Sequence, residues 1–136
     1  MKLLIVKTTS LGDLIHTLPA LTDAVRAIPG LQADWLAERP FVEIPGWHPA
    51  VQRVIACDLR RWRKAPLATV RSGDWARFRS ELRASRYDRV LDAQGLVKSA
   101  FLASRADGLC HAVTSRAANT ARKRVFSDRF TLRGWV

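Results

Sequence analysis

The order of apolar and polar residues in the first 25 positions constrains the fold more than any other feature of this chain. Residues 3–6 form a short apolar run, which is typical of a buried parallel strand. A polar loop follows over residues 7–12, and Asp13 then begins a segment with apolar residues at helical spacing: Leu14, Leu18, Leu21 and Val25. A strand, a loop and a helix in this order predict an open α/β sheet, in which ligands bind beyond the carboxyl ends of the strands.

Alternating strands and helices continue along the chain to about residue 103. We predict strands at residues 2–6, 32–37, 51–57 and 87–92, and helices at residues 13–27, 72–85 and 96–103. The predicted fold class is therefore α/β, a Rossmann-like parallel sheet of about four strands with helices on both faces. No strand is predicted after Leu109, where the apolar periodicity weakens.

Length and cysteine content indicate a single cytoplasmic domain. A chain of 136 residues has the usual size of one domain. It has no run of about 18 apolar residues, as a membrane-spanning helix requires, and Lys7 and Asp13 interrupt any signal-peptide core. Cys57 and Cys110 are too few for a disulfide framework and lack the spacing of a metal site.

The net charge of +11 comes entirely from the second part of the chain. Residues 1–56 are neutral, with five basic and five acidic side chains. Residues 57–108 hold twelve basic and six acidic side chains, and residues 109–136 hold six and one. A localised basic surface indicates a polyanionic partner, such as nucleic acid, an anionic membrane or a phosphorylated ligand. Nucleic acid is disfavoured, because aromatic residues are not interleaved with the basic tail.

The first candidate site residues lie in the loop after the first strand. Asp13 is placed to act as a general base at the crevice, and Lys7 to hold a phosphate or a sugar hydroxyl. The alternative is that Asp13 is an ordinary N-cap of the first helix and Lys7 is solvated, and spacing alone favours this alternative. Gly12 is the single glycine of the loop, so neither glycine-rich nucleotide-binding motif is present.

A cluster of cations follows the third predicted strand. Arg60, Arg61, Arg63 and Lys64 surround Trp62, and we call these five residues the basic cluster. Arginine binds phosphate through two parallel hydrogen bonds, so the basic cluster is suited to an anionic ligand. The alternative is a solvated loop that keeps the protein soluble, and the sequence leaves the two interpretations equally open.

Residues 92–99 join the fourth predicted strand to the next helix. Side chains here face the same crevice as Asp13, together with the N–H groups that begin the helix. A ligand-binding role and a purely structural turn are both open. In the structural alternative Asp92 caps the helix and Gly95 permits the bend.

Four separated segments resemble one known family. They read LIVKTTSLGDLIHTLPAL, IPGWHPAVQRVI, RRWRKA and YDRVLDAQGLVKSA, in that order. They are similar to the N-terminal domain of the lipopolysaccharide heptosyltransferases, ADP-heptose glycosyltransferases of the GT-B fold. The resemblance extends over residues 1–108, so we expect the fold to correspond to the N-terminal half of a GT-B enzyme.

The resemblance implies a reaction and a set of site residues. The family transfers L-glycero-D-manno-heptose from ADP-heptose to Kdo–lipid A, with inversion and without a metal or other cofactor. Asp13 matches the family's catalytic base. The positions that match its acceptor site are Lys7, Ser10, Leu11, Gly12, Arg60, Arg61, Arg63, Lys64, Asp92, Gln94, Gly95, Lys98 and Ser99.

The resemblance also divides the chain. Residues 1–108 are expected to be the acceptor-binding domain, and residues 109–136 a basic, divergent segment. The donor-binding C-terminal domain of the family is not matched, so we expect binding of ADP-heptose only where such a domain is supplied, and little or no transfer by this chain alone. Peripheral contact with the anionic inner membrane, on its cytoplasmic face, is expected. The alternative function is a non-catalytic binding module for anionic glycolipid or membrane surface.

Overall fold

The strands of the chain form one parallel sheet. The structure, a computed structural model, describes residues 1–112. Its strands are β1 (Lys2–Val6), β2 (Gln32–Glu38), β3 (Val51–Cys57), β4 (Arg86–Asp92) and β5 (Asp107–Ala112). Their order in the sheet is β3-β2-β1-β4-β5, and all neighbours are parallel. The strand order reverses at β1, so the crevice between the carboxyl ends of β1 and β4 is the position where α/β sheets bind ligands.

Helices connect the strands. They are α1 (Leu11–Ala27), α2 (Leu59–Lys64), α3 (Pro66–Arg71), α4 (Asp74–Arg83) and α5 (Val97–Ala103), and short 3₁₀ turns lie at Arg39–Phe41 and Pro45–Trp47. The predicted α/β class, with its parallel sheet, is confirmed. The basic cluster, predicted as part of a connection, lies in the short helix α2.

The core has two layers because the sheet is covered on both faces. Along β1, Leu4 and Val6 pack on one face, with Phe78 of α4 and Leu102 of α5 among their buried neighbours. The alternate residues of β1 face the other layer, which contains Leu14 and Leu21 of α1 and the indole of Trp35. Period-two alternation in one strand therefore supplies both layers.

The fifth strand was not predicted from the sequence. Residues 107–110 read Asp-Gly-Leu-Cys and lack the β-branched residues that favour a strand. The strand still forms, because Gly108 lets β5 approach β4: a Cβ at this position would lie 2.6 Å from the carbonyl oxygen of Tyr87. The sheet therefore has five strands rather than about four, and β5 crosses the predicted domain boundary at residue 108. The predictions for residues 113–136 lie outside the described part of the chain.

A buried carboxylate lies near the amino ends of the strands, at the opposite end of the sheet from the crevice. The side chain of Asp34, near the start of β2, is almost fully buried. Its Oδ2 accepts hydrogen bonds from the Tyr87 hydroxyl (2.9 Å) and the Arg53 guanidinium (3.0 Å), and Lys2 Nζ lies 3.6 Å away. Burial and the Asp34 carboxylate together raise the pKa of Tyr87 to about 12, so the phenol stays a donor at neutral pH. This cluster fastens β1, β2, β3 and β4 together at their amino ends.

Candidate functional site

The loop after β1 places a carboxylate and an ammonium together at the reversal point of the sheet. The last residue of β1, Val6, pairs with Leu36 on one side and with Asp92 on the other. Immediately beyond it, Lys7 Nζ lies 3.7 Å from Asp13 Oδ2. The lysine side chain is 13% exposed and the Asp13 side chain 51% exposed. The carboxylate therefore faces the crevice, and the lysine supports it from the protein side.

Asp13 also takes part in starting helix α1, although not as its N-cap. Ser10 has the extended backbone of an N-cap, and Asp13 lies three residues later. The N–H of Ser10 donates to Asp13 Oδ2 over 3.3 Å, which is the reciprocal bond of a capping box. The alternative in which Asp13 is the N-cap is therefore wrong. Asp13 still stabilises the helix start, and a capping role and an exposed oxygen in the crevice coexist in one side chain.

Gln94 holds the loop that carries the lysine. Its Oε1 accepts the backbone N–H groups of Thr8 (3.2 Å) and Thr9 (3.3 Å). The indole N–H of Trp35 donates to the carbonyl oxygen of Lys7 over 3.1 Å, and Lys7 Nζ donates to the carbonyl oxygen of Ala93 over 3.3 Å. The loop is thus tied to β2 and to the segment after β4.

The segment after β4 is organised by its own side chains. Asp92 is fully buried, and its Oδ1 accepts the N–H groups of Gln94 and Gly95, each over 3.1 Å. Gly95 has φ +74°, a left-handed conformation that favours glycine. Ser99 is buried and accepts the N–H of Leu96 over 3.1 Å. The prediction that Gly95 permits the bend is confirmed, but the prediction that Asp92 caps the helix is wrong, because the N-cap of α5 is Leu96. Contact of these residues with an acceptor stays a prediction.

The basic cluster lies beyond the carboxyl end of β3, so it is at the same end of the strands as the crevice. Arg61 donates to Asp58 and, over 2.6 Å, to Asp74 of α4. Hydrogen bonding to Arg61 holds the pKa of the Asp74 carboxyl below its usual value. Within residues 1–112, Arg63 and Lys64 are exposed and have no ion-pair partner. Within the described residues, the basic cluster therefore contains some cations that pair with carboxylates and others that do not.

Glu38 connects the basic cluster to the loop after β1, and the sequence analysis did not find it. Its backbone N–H donates to the carbonyl oxygen of Thr8 over 3.1 Å. Its buried carboxylate lies 3.4 Å from Arg60 Nε. The sequence signal that could have identified Glu38 is an acidic residue at the end of an apolar strand. Asp92 at the end of β4 shows the same pattern. The two groups of predicted residues are therefore linked through β2.

The remaining predicted residues lie at the starts of the helices that follow β1 and β4. Ser10, Leu11 and Gly12 are exposed at the start of α1, and Lys98 is exposed on the first turn of α5. A separate apolar groove of about 390 Å³ lies between α1 and the turn at Pro45–Trp47, and it contains none of the predicted site residues. Within the described residues, no three histidine, cysteine, aspartate or glutamate side chains could hold a metal ion. None of the helices in residues 1–112 is long and apolar enough to cross a bilayer.

The sequence of this chain is similar to those of known proteins. A family model described as glycosyltransferase family 9 (heptosyltransferase) matches residues 75–131. Lipopolysaccharide heptosyltransferase 1 of Pseudomonas aeruginosa is 63% identical over 102 residues, which are 75% of this chain and 29% of that protein. The protein of the same name from Escherichia coli K12 is 50% identical over 130 residues, which are 95% of this chain and 41% of that protein.

A solved structure shares the fold. It is that of E. coli heptosyltransferase WaaC with ADP-2-deoxy-2-fluoro heptose, and it matches with a TM-score of 0.79 and 54% identity. The match covers 83% of this chain and 36% of that one. The matches thus cover between 29% and 41% of the length of the proteins that the chain resembles.

Proposed function

Because the chain belongs to glycosyltransferase family 9, the heptosyltransferases, we propose that it forms the acceptor-binding half of a GT-B enzyme of lipopolysaccharide inner-core synthesis. The proposed reaction transfers L-glycero-D-manno-heptose from ADP-heptose to Kdo–lipid A with inversion. The observation that carries this proposal is the half-exposed Asp13 carboxylate, held beside Lys7 at the reversal point of the sheet.

Asp13 is proposed to act as the base. One carboxylate oxygen removes the proton of the acceptor hydroxyl as the hydroxyl oxygen attacks the anomeric carbon of the heptose. The bond from that carbon to ADP breaks, ADP leaves with the electron pair, and attack from the opposite face inverts the configuration. The ion pair with Lys7 and the N–H of Ser10 fix the direction of the carboxylate, so little reorganisation is needed during proton transfer.

The basic cluster is proposed to bind the anionic groups of the acceptor. Arg63 and Lys64 have no ion-pair partner within the described residues, so they bind an anion without losing an internal contact. Arg60 and Arg61 already pair with carboxylates, and they join the acceptor by exchanging these partners. Arginine supplies bidentate contacts to carboxylate and phosphate.

The donor is proposed to require the remaining part of the enzyme. The WaaC structure that this chain resembles contains an ADP-heptose analogue, and the match covers 36% of that protein. The 136-residue chain by itself is therefore expected to give no measurable transfer. We propose that the complete enzyme works at the cytoplasmic face of the inner membrane, where its lipid-linked acceptor is made.

The test joins residues 1–112 of this chain to the part of the E. coli relative that follows the matched segment, and measures ADP release with ADP-heptose and Kdo–lipid A. Asp13→Asn keeps the size and the capping oxygen but removes the base, so the rate is expected to fall about 10²–10⁴-fold. Asp23→Asn is the matched control, because Asp23 is an exposed carboxylate on the same helix. A rate within a factor of about two of the parent for Asp13→Asn would falsify the role of base.

A second candidate function is a non-catalytic module that binds anionic glycolipid or membrane surface. The free cations Arg63 and Lys64 favour it. The same chimaera separates the two functions: a binding module captures the acceptor without releasing ADP, whereas the proposed enzyme releases ADP in an acceptor-dependent way.

A further inference from the structure

The short helix α3 presents an apolar surface that the rest of the described chain leaves uncovered. Leu67 is 80% exposed and Val70 68% exposed, and their spacing of three residues puts them on one face of the helix. Thr69 lies on another face of the helix and is buried against the protein. Leu67 and Val70 therefore form one small apolar patch on the surface rather than two separate exposed residues.

Three cations without an ion-pair partner in the described residues flank this apolar face. Arg63 and Lys64 precede α3, and Arg71 ends it. All three are exposed, and within residues 1–112 none of them forms an ion pair. Arg63, Lys64, Leu67, Val70 and Arg71 are together called the α2–α3 ridge.

The ridge is held rigidly on the protein. Trp62 of α2 packs against Trp75 and Phe78 of α4, with ring centroids 5.5 Å and 5.0 Å apart. Arg61 bonds to Asp74 at the start of α4 over 2.6 Å. The exposed side chains therefore project from a fixed base, and binding a partner costs little ordering of the backbone.

We propose that the α2–α3 ridge docks on the surface of an anionic lipid bilayer. Leu67 and Val70 enter the boundary between headgroups and acyl chains, and the three cations pair with lipid phosphates. Adjacent exposed aliphatic and unpaired basic residues match this interface, which offers hydrocarbon directly beneath a layer of negative charge. A soluble anion would use the cations and leave the aliphatic face in water.

The position of the ridge relates bilayer docking to the crevice. Helix α2 begins beyond the carboxyl end of β3, and Glu38 links it to the loop next to Asp13. A bilayer against the ridge therefore lies at the same edge of the sheet as the crevice. This inference deepens the proposed function, since a lipid-linked acceptor would reach the crevice from that bilayer.

The test measures co-sedimentation of the 136-residue chain with phosphatidylcholine vesicles, with and without phosphatidylglycerol. The parent chain is expected to bind the anionic vesicles preferentially. The double variant Leu67→Ser and Val70→Ser should weaken binding at least about tenfold, because two inserted aliphatic side chains are lost. Arg63→Gln and Lys64→Gln should each weaken it about fivefold, with the loss shrinking at high salt.

Matched controls separate docking from general stickiness. Val97→Ser removes an aliphatic side chain that is 78% exposed on α5 and does not belong to the ridge, and should leave binding unchanged. Arg86→Gln with Arg89→Gln removes two exposed cations of β4, and should weaken binding less than the ridge pair does. Residues 109–136 are identical in every variant, so their basic charge contributes equally.

Parent-like binding by the Leu67→Ser, Val70→Ser variant would overturn the proposal, and so would an equal loss in Val97→Ser. The outcome is independent of the reaction itself. Transfer by the chimaera to a delipidated, water-soluble acceptor needs no bilayer. Failure of this transfer would therefore count against the proposed function and would not bear on docking of the ridge.

Discussion

Gln94 offers the sharpest test of how the site is held together. The resemblance assigned this residue to the acceptor, whereas the structure shows its side-chain oxygen accepting the N–H groups of Thr8 and Thr9. Thr8 is 4% exposed, so its N–H group has no access to water when this acceptor is removed. Gln94→Met keeps the length of the side chain and removes both bonds.

The expected loss follows from these two bonds. A buried donor left without a partner costs about 1–3 kcal/mol, and a bond whose donor can turn to water costs about 0.5–1.5 kcal/mol. Thr8 belongs to the first case and the half-buried Thr9 to the second, so the free energy of unfolding should fall by about 1.5–4.5 kcal/mol. Gln94→Glu keeps a side-chain oxygen that can accept both N–H groups, and it should lose less than half of this amount.

Two measurements check this reasoning. Urea unfolding, followed by circular dichroism, gives the change in the free energy of unfolding. Amide hydrogen exchange gives the local effect, and the Thr8 N–H should exchange about 10–100-fold faster in Gln94→Met, since about 1.4 kcal/mol corresponds to a factor of ten. Unchanged exchange at Thr8, or equal losses in the Met and Glu variants, would refute the assignment of Gln94 as the anchor of the loop.

Two further perturbations test the surrounding framework. Tyr87→Phe removes the hydroxyl that donates to the buried Asp34 carboxylate, so urea unfolding should show a loss of about 1–3 kcal/mol, and parent-like stability would contradict the role of the cluster at the amino ends of the strands. Asp74→Asn tests the bond from Arg61, which lowers the pKa of the Asp74 carboxyl below its usual value of 3.8. The stabilisation from a carboxyl with a lowered pKa is fully present above that usual value and is lost as the pH falls through the lowered pKa. The stability gap between parent and Asp74→Asn should therefore be open at neutral pH and close in strong acid, and a gap that stays constant with pH would show that the bond is not its source.

The sequence predicted the parts of the fold that depend on local pattern. The apolar run of β1, the helical spacing of Leu14 and Leu21, and the turn at Gly95 each have a signal within a few residues. The parallel sheet and the crevice follow from their order. The resemblance then selected Asp13, and the structure places its carboxylate in that crevice.

The features that were missed depend on contacts distant in sequence. β5 forms because Gly108 permits a close approach to the carbonyl oxygen of Tyr87, and nothing in residues 107–112 alone indicates that neighbour. Glu38 reads as an ordinary polar residue at the end of β2 until Arg60 and Thr8 are brought to it. The prediction that Asp13 is the N-cap is wrong, because Ser10, three residues earlier, has the extended backbone that begins the helix.

The position of Glu38 has a consequence for which anions the crevice accepts. In the described residues its carboxylate is 7% exposed and has Arg60 as its one ion-pair partner. A ligand that draws Arg60 away leaves the mostly buried Glu38 carboxylate without that partner, which is unfavourable. A ligand that also meets Arg63 and Lys64 gains contacts that offset this loss. Arg60 is therefore expected to add to the binding of a ligand with several negative charges, whereas a small anion is bound by Arg63 and Lys64 without it.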